Sequence, residues 1–267
     1  MGVIRALLAS RLLWAGAALL LGAAAARTAA RALARDPRFL ARPVGIEARG
    51  PAWAGREVVA PVLARLQALG PVNLFHPAFE RLVRDALARD PGVAEVGGVR
   101  RHWPRAYSVT FTLRRPYAVV AHASGPVPVT REGVALPSGR YEEAARSLWT
   151  VRGVDSARPR PGRRWEDPRL QAALETLAQV APHLPDLAPL GLEAVEAGRA
   201  ADPLHGVVLL GAGGLRVRWG RPAATGENPP ERKAAFLRVV ASDPSRAQGY
   251  EIDVRYAEIG LRRLPAP

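Results

Sequence analysis

Residues Ala6 to Ala26 read ALLASRLLWAGAALLLGAAAA, and no other stretch constrains the fold as strongly. As a helix rising 1.5 Å per residue it is about 32 Å long, close to one hydrocarbon core. Arg11 interrupts it, and the uninterrupted part, Leu12 to Ala26, is short and alanine-rich. An arginine near one end can snorkel to the interface. The reading adopted is a single transmembrane helix over 6–26 behind a short cytoplasmic tail, 1–5. Two others compete with it. One is a cleaved signal peptide, with Arg5 and Arg11 in its basic start and small residues before Arg27. The other is an ordinary core helix. Arg27, Arg31, Arg35, Arg38 and Arg42 follow the run and outnumber the arginines before it. A positive-inside count opposes export of the large part, whereas the very short N-terminus favours it, and export is the expectation. Arg27, Arg31 and Arg35 stand four apart on one helix face. Residues 27–42 read as a basic, solvated helical juxtamembrane linker, with lipid head groups the alternative for that face.

Beyond the linker, hydrophobic periodicity organises a first unit over 43–115. Val44, Ile46 and Ala48 alternate as a strand. Val58, Val62, Leu66 and Leu69 recur at helical spacing, which places Pro61 in that helix's first turn, where proline is tolerated. Gly70 and Pro71 end it. After the loop Asn73 to His76, Pro77 opens a second helix carrying Phe79, Leu82, Val83, Ala86 and Leu87 on one face. Asp90-Pro91 stops that helix. Val93 and Val96 mark a strand, RHWPR (Arg101 to Arg105) a turn, and Tyr107, Val109, Phe111 and Leu113 a half-buried strand. The order β-α-α-β-β fits a small sheet covered on one face by two helices.

A second unit spans 116–267. Val127 and Val129, then Thr130 to Pro137, read as two strands around the turn Glu132-Gly133. The proline-rich basic stretch from Arg152 to Arg169 reads as a solvated loop. Asp167 caps a helix with Pro168 at its first position and Leu170, Leu174 and Leu177 inside. GAGG (Gly211 to Gly214) leads into LRVRW, where Leu215, Val217 and Trp219 alternate. It is a hairpin turn and not a phosphate-binding loop, which would open a helix. Pro229 to Val240 form a helix with Ala235, Phe236, Val239 and Val240 as its apolar side. The chain closes on YEIDVRYAEIGLRRL. Tyr250, Ile252, Val254 and Tyr256 alternate with charged residues, then the phase slips, which calls for a bend or bulge near Ala257 and Glu258.

Composition excludes several chemistries. Cysteine is absent, which removes disulfides and thiolate catalysis. The five histidines, His76, His102, His122, His183 and His205, form no ligand pair, and no GxSxG occurs. Glu142-Glu143 and Glu166-Asp167 are adjacent acids without a base. No catalytic, cofactor-binding or metal-binding residue is assigned, and no small-molecule substrate. The net charge of +14 comes almost wholly from arginine, with Lys233 the only lysine. The arginines spread along the whole chain, so nucleic acid is not an expected partner.

The β-α-α-β-β order, with NLF between the helices, DPGV after the second and HWP in the hairpin, resembles a POTRA domain. Placed after one N-terminal membrane segment, it resembles the FtsQ/DivIB family of bacterial cell-division proteins. RRPYAVV (Arg114 to Val120), Lys233 at the start of its helix and YEIDVRY extend the likeness over nearly the full chain. The resemblance implies an α+β fold: transmembrane helix, POTRA domain, and a mostly antiparallel β-domain with flanking helices. It implies a non-enzymatic scaffold in the cytoplasmic membrane, its bulk on the extracytoplasmic side at the division septum. Implied partners are other membrane-anchored division proteins, the FtsB/FtsL-like coiled-coil proteins. The alternative is a POTRA-containing binding module of a secretion or outer-membrane assembly pathway.

The family's partner pairs with the end of the β-domain. In this chain that expectation falls on Tyr256, Glu258, Ile259, Gly260, Leu261 and Arg262, read as an edge strand left open for β-strand addition. Tyr250 to Tyr256 is then an inner strand burying Ile252 and Val254. Arg262 and Arg263 are matched only with acidic residues on a partner.

Overall fold

The computed structural model describes residues 2–49, 54–197, 206–221 and 225–264. His205 and Pro265 to Pro267 lie outside them, as do the side chains of Arg5, Arg11, Val44, Ile46 and Ala48. The fold is mixed α and β, and the chain divides into two units, Met1–Pro51 with Val59–Leu113, and Ala52–Val58 with Arg114–Pro267.

Helix α1 runs Gly2–Arg35, well past the end of the apolar run. Alanine and arginine are strong helix formers, and neither glycine nor proline falls between Gly22 and Pro37. Residues 27–35 are therefore helix, and strand begins at Leu40 inside the stretch expected to be linker. The segment Trp14–Arg35 is long and apolar enough to cross a membrane, and none of it is buried.

The first unit continues with β1 (Leu40–Arg49), α2 (Arg56–Ala68), β2 (Val72–Asn73), α3 (Phe79–Ala88), β3 (Val93–His102) and β4 (Ala106–Leu113). The sheet order is β2-β1-β4-β3, with β1 parallel to β4 and the other pairs antiparallel. Val62 and Leu66 of α2, and Phe79, Val83 and Leu87 of α3, are buried, as are Tyr107, Val109, Phe111 and Leu113 of β4. Phe79 meets Tyr107 edge to face, ring centroids 5.3 Å apart. Two details depart from the sequence reading. Helix α2 starts at Arg56, so Pro61 lies inside it, past the first turn, and removes the bond that would run to the Glu57 carbonyl. Helix α3 starts at Phe79, so Pro77 belongs to the preceding turn, where the Phe79 N–H donates to the His76 carbonyl.

The junction between α1 and this sheet is built by Asn73. Its amide nitrogen donates to the carbonyls of Leu33 and Asp36, at 3.0 and 2.8 Å, and its oxygen accepts from the Phe75 N–H. These two carbonyls also accept the Asp36 and Phe39 N–H groups, so Asn73 adds a second bond to each and ties the end of α1 to the sheet. The rings of Phe39, Phe75 and Trp103 cluster beside it.

The second unit holds β5 (Ala118–His122), β6 (Gly125–Val129), α4 (Glu142–Ala145), β7 (Trp149–Arg152), α5 (Pro168–Val180), α6 (Leu184–Leu187), β8 (Ala194–Glu196), β9 (Val207–Leu210), β10 (Arg216–Gly220), α7 (Pro230–Ala241), β11 (Tyr250–Asp253) and β12 (Gly260–Arg263). They form one eight-stranded sheet, order β12-β11-β10-β9-β8-β7-β5-β6. Four of its pairings are antiparallel and three parallel, so the sheet is mixed, with antiparallel pairs in a narrow majority. The parallel pairs are those whose connection contains a helix: α4 before β7, α5 and α6 before β8, α7 before β11. Alternation in sequence reports a buried face and is blind to strand direction.

Three local readings change. Thr130 to Pro137 form a turn with only isolated bridges, Val129 to Ala135 and Val134 to Arg164. The basic loop is tied down by Trp165, which is buried and donates to Ser156 Oγ at 2.9 Å, while Asp167 caps α5 as expected. Helix α7 turns Lys233, Ala234, Leu237 and Ala241 inward and leaves Val239 exposed, because Lys233 finds a buried partner.

Changing Asn73 to Asp keeps the shape and the acceptor for Phe75 but points a carboxylate oxygen at two carbonyls. The loss expected is about 1–3 kcal/mol, read as a lower unfolding midpoint of the full chain in neutral detergent.

Candidate partner-binding edge

One row of side chains crosses the whole second sheet. Successive cross-strand partners are Val127, Val120, Val151, Val195, Leu209, Val217, Ile252 and Leu261. The first seven are at most 1% exposed, and Leu261, on the last strand, is 67% exposed. The row stops with its final member uncovered.

The chain reaches that last strand by a full reversal. The phase slip in the sequence is a bend, at 255–258 as expected, and it turns the chain fully round: β12 pairs antiparallel with β11, Ile252 opposite Leu261 and Glu251 opposite Arg262. Of the expected edge residues, Gly260, Leu261 and Arg262 lie in the strand. Tyr256, Glu258 and Ile259 lie in the turn before it.

Backbone direction follows from one bond. The Leu264 N–H donates to the Gly249 carbonyl at 2.8 Å, so by alternation Gly260 and Arg262 also face inward. The N–H and C=O groups of Leu261 and Arg263 therefore face outward, where no strand follows among the described residues. The opposite end of the sheet is closed. Strand β6 reads GPVPV, so Pro126 and Pro128 offer no N–H, and the Pro128 carbonyl accepts from the Leu136 N–H at 2.8 Å. Proline is a common way to blunt an edge. The sheet thus has one blocked edge and one open edge.

A charge cluster on the sheet's other face is centred on β11 and reaches β12 through Arg262. Glu251 is buried, and its carboxylate meets Arg218 at 2.7 Å, Arg262 at 3.1 Å and Arg216 at 3.6 Å. Arg262 thus has a partner within its own sheet. Its side chain is largely exposed, so its share of the clamp is small.

The turn is strapped from below. The buried Asn228 amide donates to the carbonyls of Val254 and Tyr256, at 3.1 and 2.6 Å. The neighbouring Glu227 pairs with Lys233 at 2.9 Å, and Lys233 also donates to the Trp219 carbonyl at 2.6 Å. Both charged side chains are almost fully buried. A compact ammonium suits this confined site between two acceptors. Asp253 closes the turn. Burial alone would raise its carboxyl, but the hydrogen bonds from the Arg255 side chain and backbone outweigh burial and hold it below the usual range.

The strand pattern at the chain's end is legible in the sequence, whereas Asn228 and the roles of Glu251 and Glu227 are not. A charged residue alternating with apolar ones reads as solvated, and only the isolated Lys233 signalled a buried pair. Among the described residues no group of three His, Cys, Asp or Glu side chains could hold a metal. No protein-family model matches the chain, and no curated protein matches it.

Replacing Lys233 with Met strands a buried carboxylate and costs about 3–5 kcal/mol, most of which is regained when Glu227 is also changed to Leu. Chemical denaturation of the single and double variants checks this. Because the Asp253 carboxyl is held low, its contribution is present above about pH 4 and is lost as pH falls through its folded value. Asp253→Asn should flatten that acid limb in a melting-temperature series.

Proposed function

We propose that this protein is a membrane-anchored, non-enzymatic scaffold that captures another anchored protein by adding its strand to β12. The observation that carries the reading is the contrast between the two sheet edges, one blunted by Pro126 and Pro128 and the other ending on exposed Leu261. Long exposed edges are a liability. An edge of only four residues, with the turn before it strapped by Asn228, limits that liability.

Magnitudes support an anchored setting. Cross-strand pairs contribute about 0.2–1 kcal/mol each, so four give a few kcal/mol. About 4 kcal/mol alone corresponds to millimolar binding. Two proteins held in one membrane reach effective concentrations near millimolar. Helix α1, long and apolar enough to span, supplies that setting.

The first unit's order, β-α-α with a two-residue strand between the helices and then β-β, agrees with the POTRA reading, and the whole arrangement with an FtsQ/DivIB-like divisome protein at the septum. On this reading the first unit recruits the protein, and β12 takes a strand from an FtsB/FtsL-like partner. A fluorescent fusion should form a midcell band in dividing cells; a diffuse envelope signal would remove the division reading.

The backbone directions select the variant for the edge. Leu261→Pro removes an outward N–H and leaves the ladder to β11 intact, so partner capture should fall at least tenfold while the unfolding midpoint holds. Gly260→Pro removes an inward N–H, and a Cβ there meets the Asp253 Cβ at 3.3 Å, so it should damage the hairpin itself. Wild-type capture by Leu261→Pro would show that the edge is not the site.

A further inference from the structure

The end of α1 and the Phe75–Pro77 turn enclose a groove of about 430 Å³. Arg27, Arg31 and Arg35, with Ala30 and Ala34 between them, form one wall, and the turn with His76 forms the other. Both walls belong to one unit, and the bonds of Asn73 to Leu33 and Asp36 fix them to each other.

The three arginines are exposed, and none makes an ion pair or hydrogen bond to a described residue. The nearby acids are engaged elsewhere: Asp36 accepts from the Arg38 N–H, and Glu80 pairs with Arg84. Like charges four apart destabilise a helix, so an anion between them relieves a strain the free chain carries. His76 Nδ1 accepts from the Ala78 N–H, which leaves Nε2 as a donor.

Position then selects the anion. The apolar run ends at Ala26, and the head-group layer beyond the hydrocarbon is roughly 5–8 Å deep on each side. On the helix, Arg27 lies about 1.5 Å and Arg31 about 7.5 Å past Ala26. Arg35 is farther out, but helical side chains tilt toward the N-terminus, here toward the membrane. We propose that this groove holds the phosphate of an anionic phospholipid. The inference rests on α1 spanning a membrane and is independent of the division reading.

Native mass spectrometry of the full chain from a neutral detergent tests it, with phosphatidylglycerol, phosphatidylcholine and inorganic phosphate as separate titrants. The wild type should retain one phosphatidylglycerol in preference to phosphatidylcholine. Replacing Arg27, Arg31 and Arg35 together with Gln should weaken it roughly 100-fold, at about fivefold per arginine near an anionic surface. Ala30→Leu with Ala34→Leu keeps the charge but fills the groove, and should weaken it at least tenfold. An unchanged unfolding midpoint certifies both variants. Equal retention of phosphatidylcholine, wild-type affinity in the filled-groove variant, or displacement of the lipid by millimolar inorganic phosphate would each overturn the assignment.

Discussion

The row of cross-strand partners from Val127 to Leu261 is the constraint on which the second unit depends. Each strand contributes one apolar residue at a matched register position, and seven of the eight are buried beneath the helices. A one-residue slip in any strand would turn its member to the other face. The row therefore fixes the register of the whole sheet, and it also fixes which side of β12 faces inward. The exposed end at Leu261 is the unfilled last place of a pattern that the other strands complete.

A strand of four residues at a sheet edge would fray unless held. Glu251 gathers Arg216, Arg218 and Arg262 on one face, and Asn228 holds the turn carbonyls from beneath. The Lys233–Glu227 pair anchors the segment that carries Asn228. Buried ion pairs are weak evidence for net stability and are better attested as devices for uniqueness of structure. Here that uniqueness is spent on the position of one turn. The inner side of β12 is held firmly while its outer side presents two residues' worth of unpaired backbone.

Periodicity carried far in this chain. The apolar faces of α3, β4 and β10 follow directly from spacing, and the Asp167-Pro168 start of α5 follows from capping chemistry. Direction and partnership did not follow. The parallel pairings depend on helical connections, which alternation does not report. The slip of phase after Val254 marks the bend, but periodicity does not report that the bend is a full reversal. Buried charges were the least legible. Glu251 alternates like a solvated residue, and its three arginines come from β10 and β12, far apart in sequence. Arg262, matched in the sequence only with acidic residues on a partner, has an acid across its own hairpin.

The central claim is that β12 is closed on its inner side and open on its outer side. Residue-resolved amide exchange on the full chain in neutral detergent tests it most directly. Alternation is expected: the Arg262 and Leu264 amides protected, the Leu261 and Arg263 amides exchanging near the rate of unstructured chain. Uniform protection across the four would mean that the edge is already covered. Uniform fast exchange would mean that the strand is not docked, and either result would contradict the account.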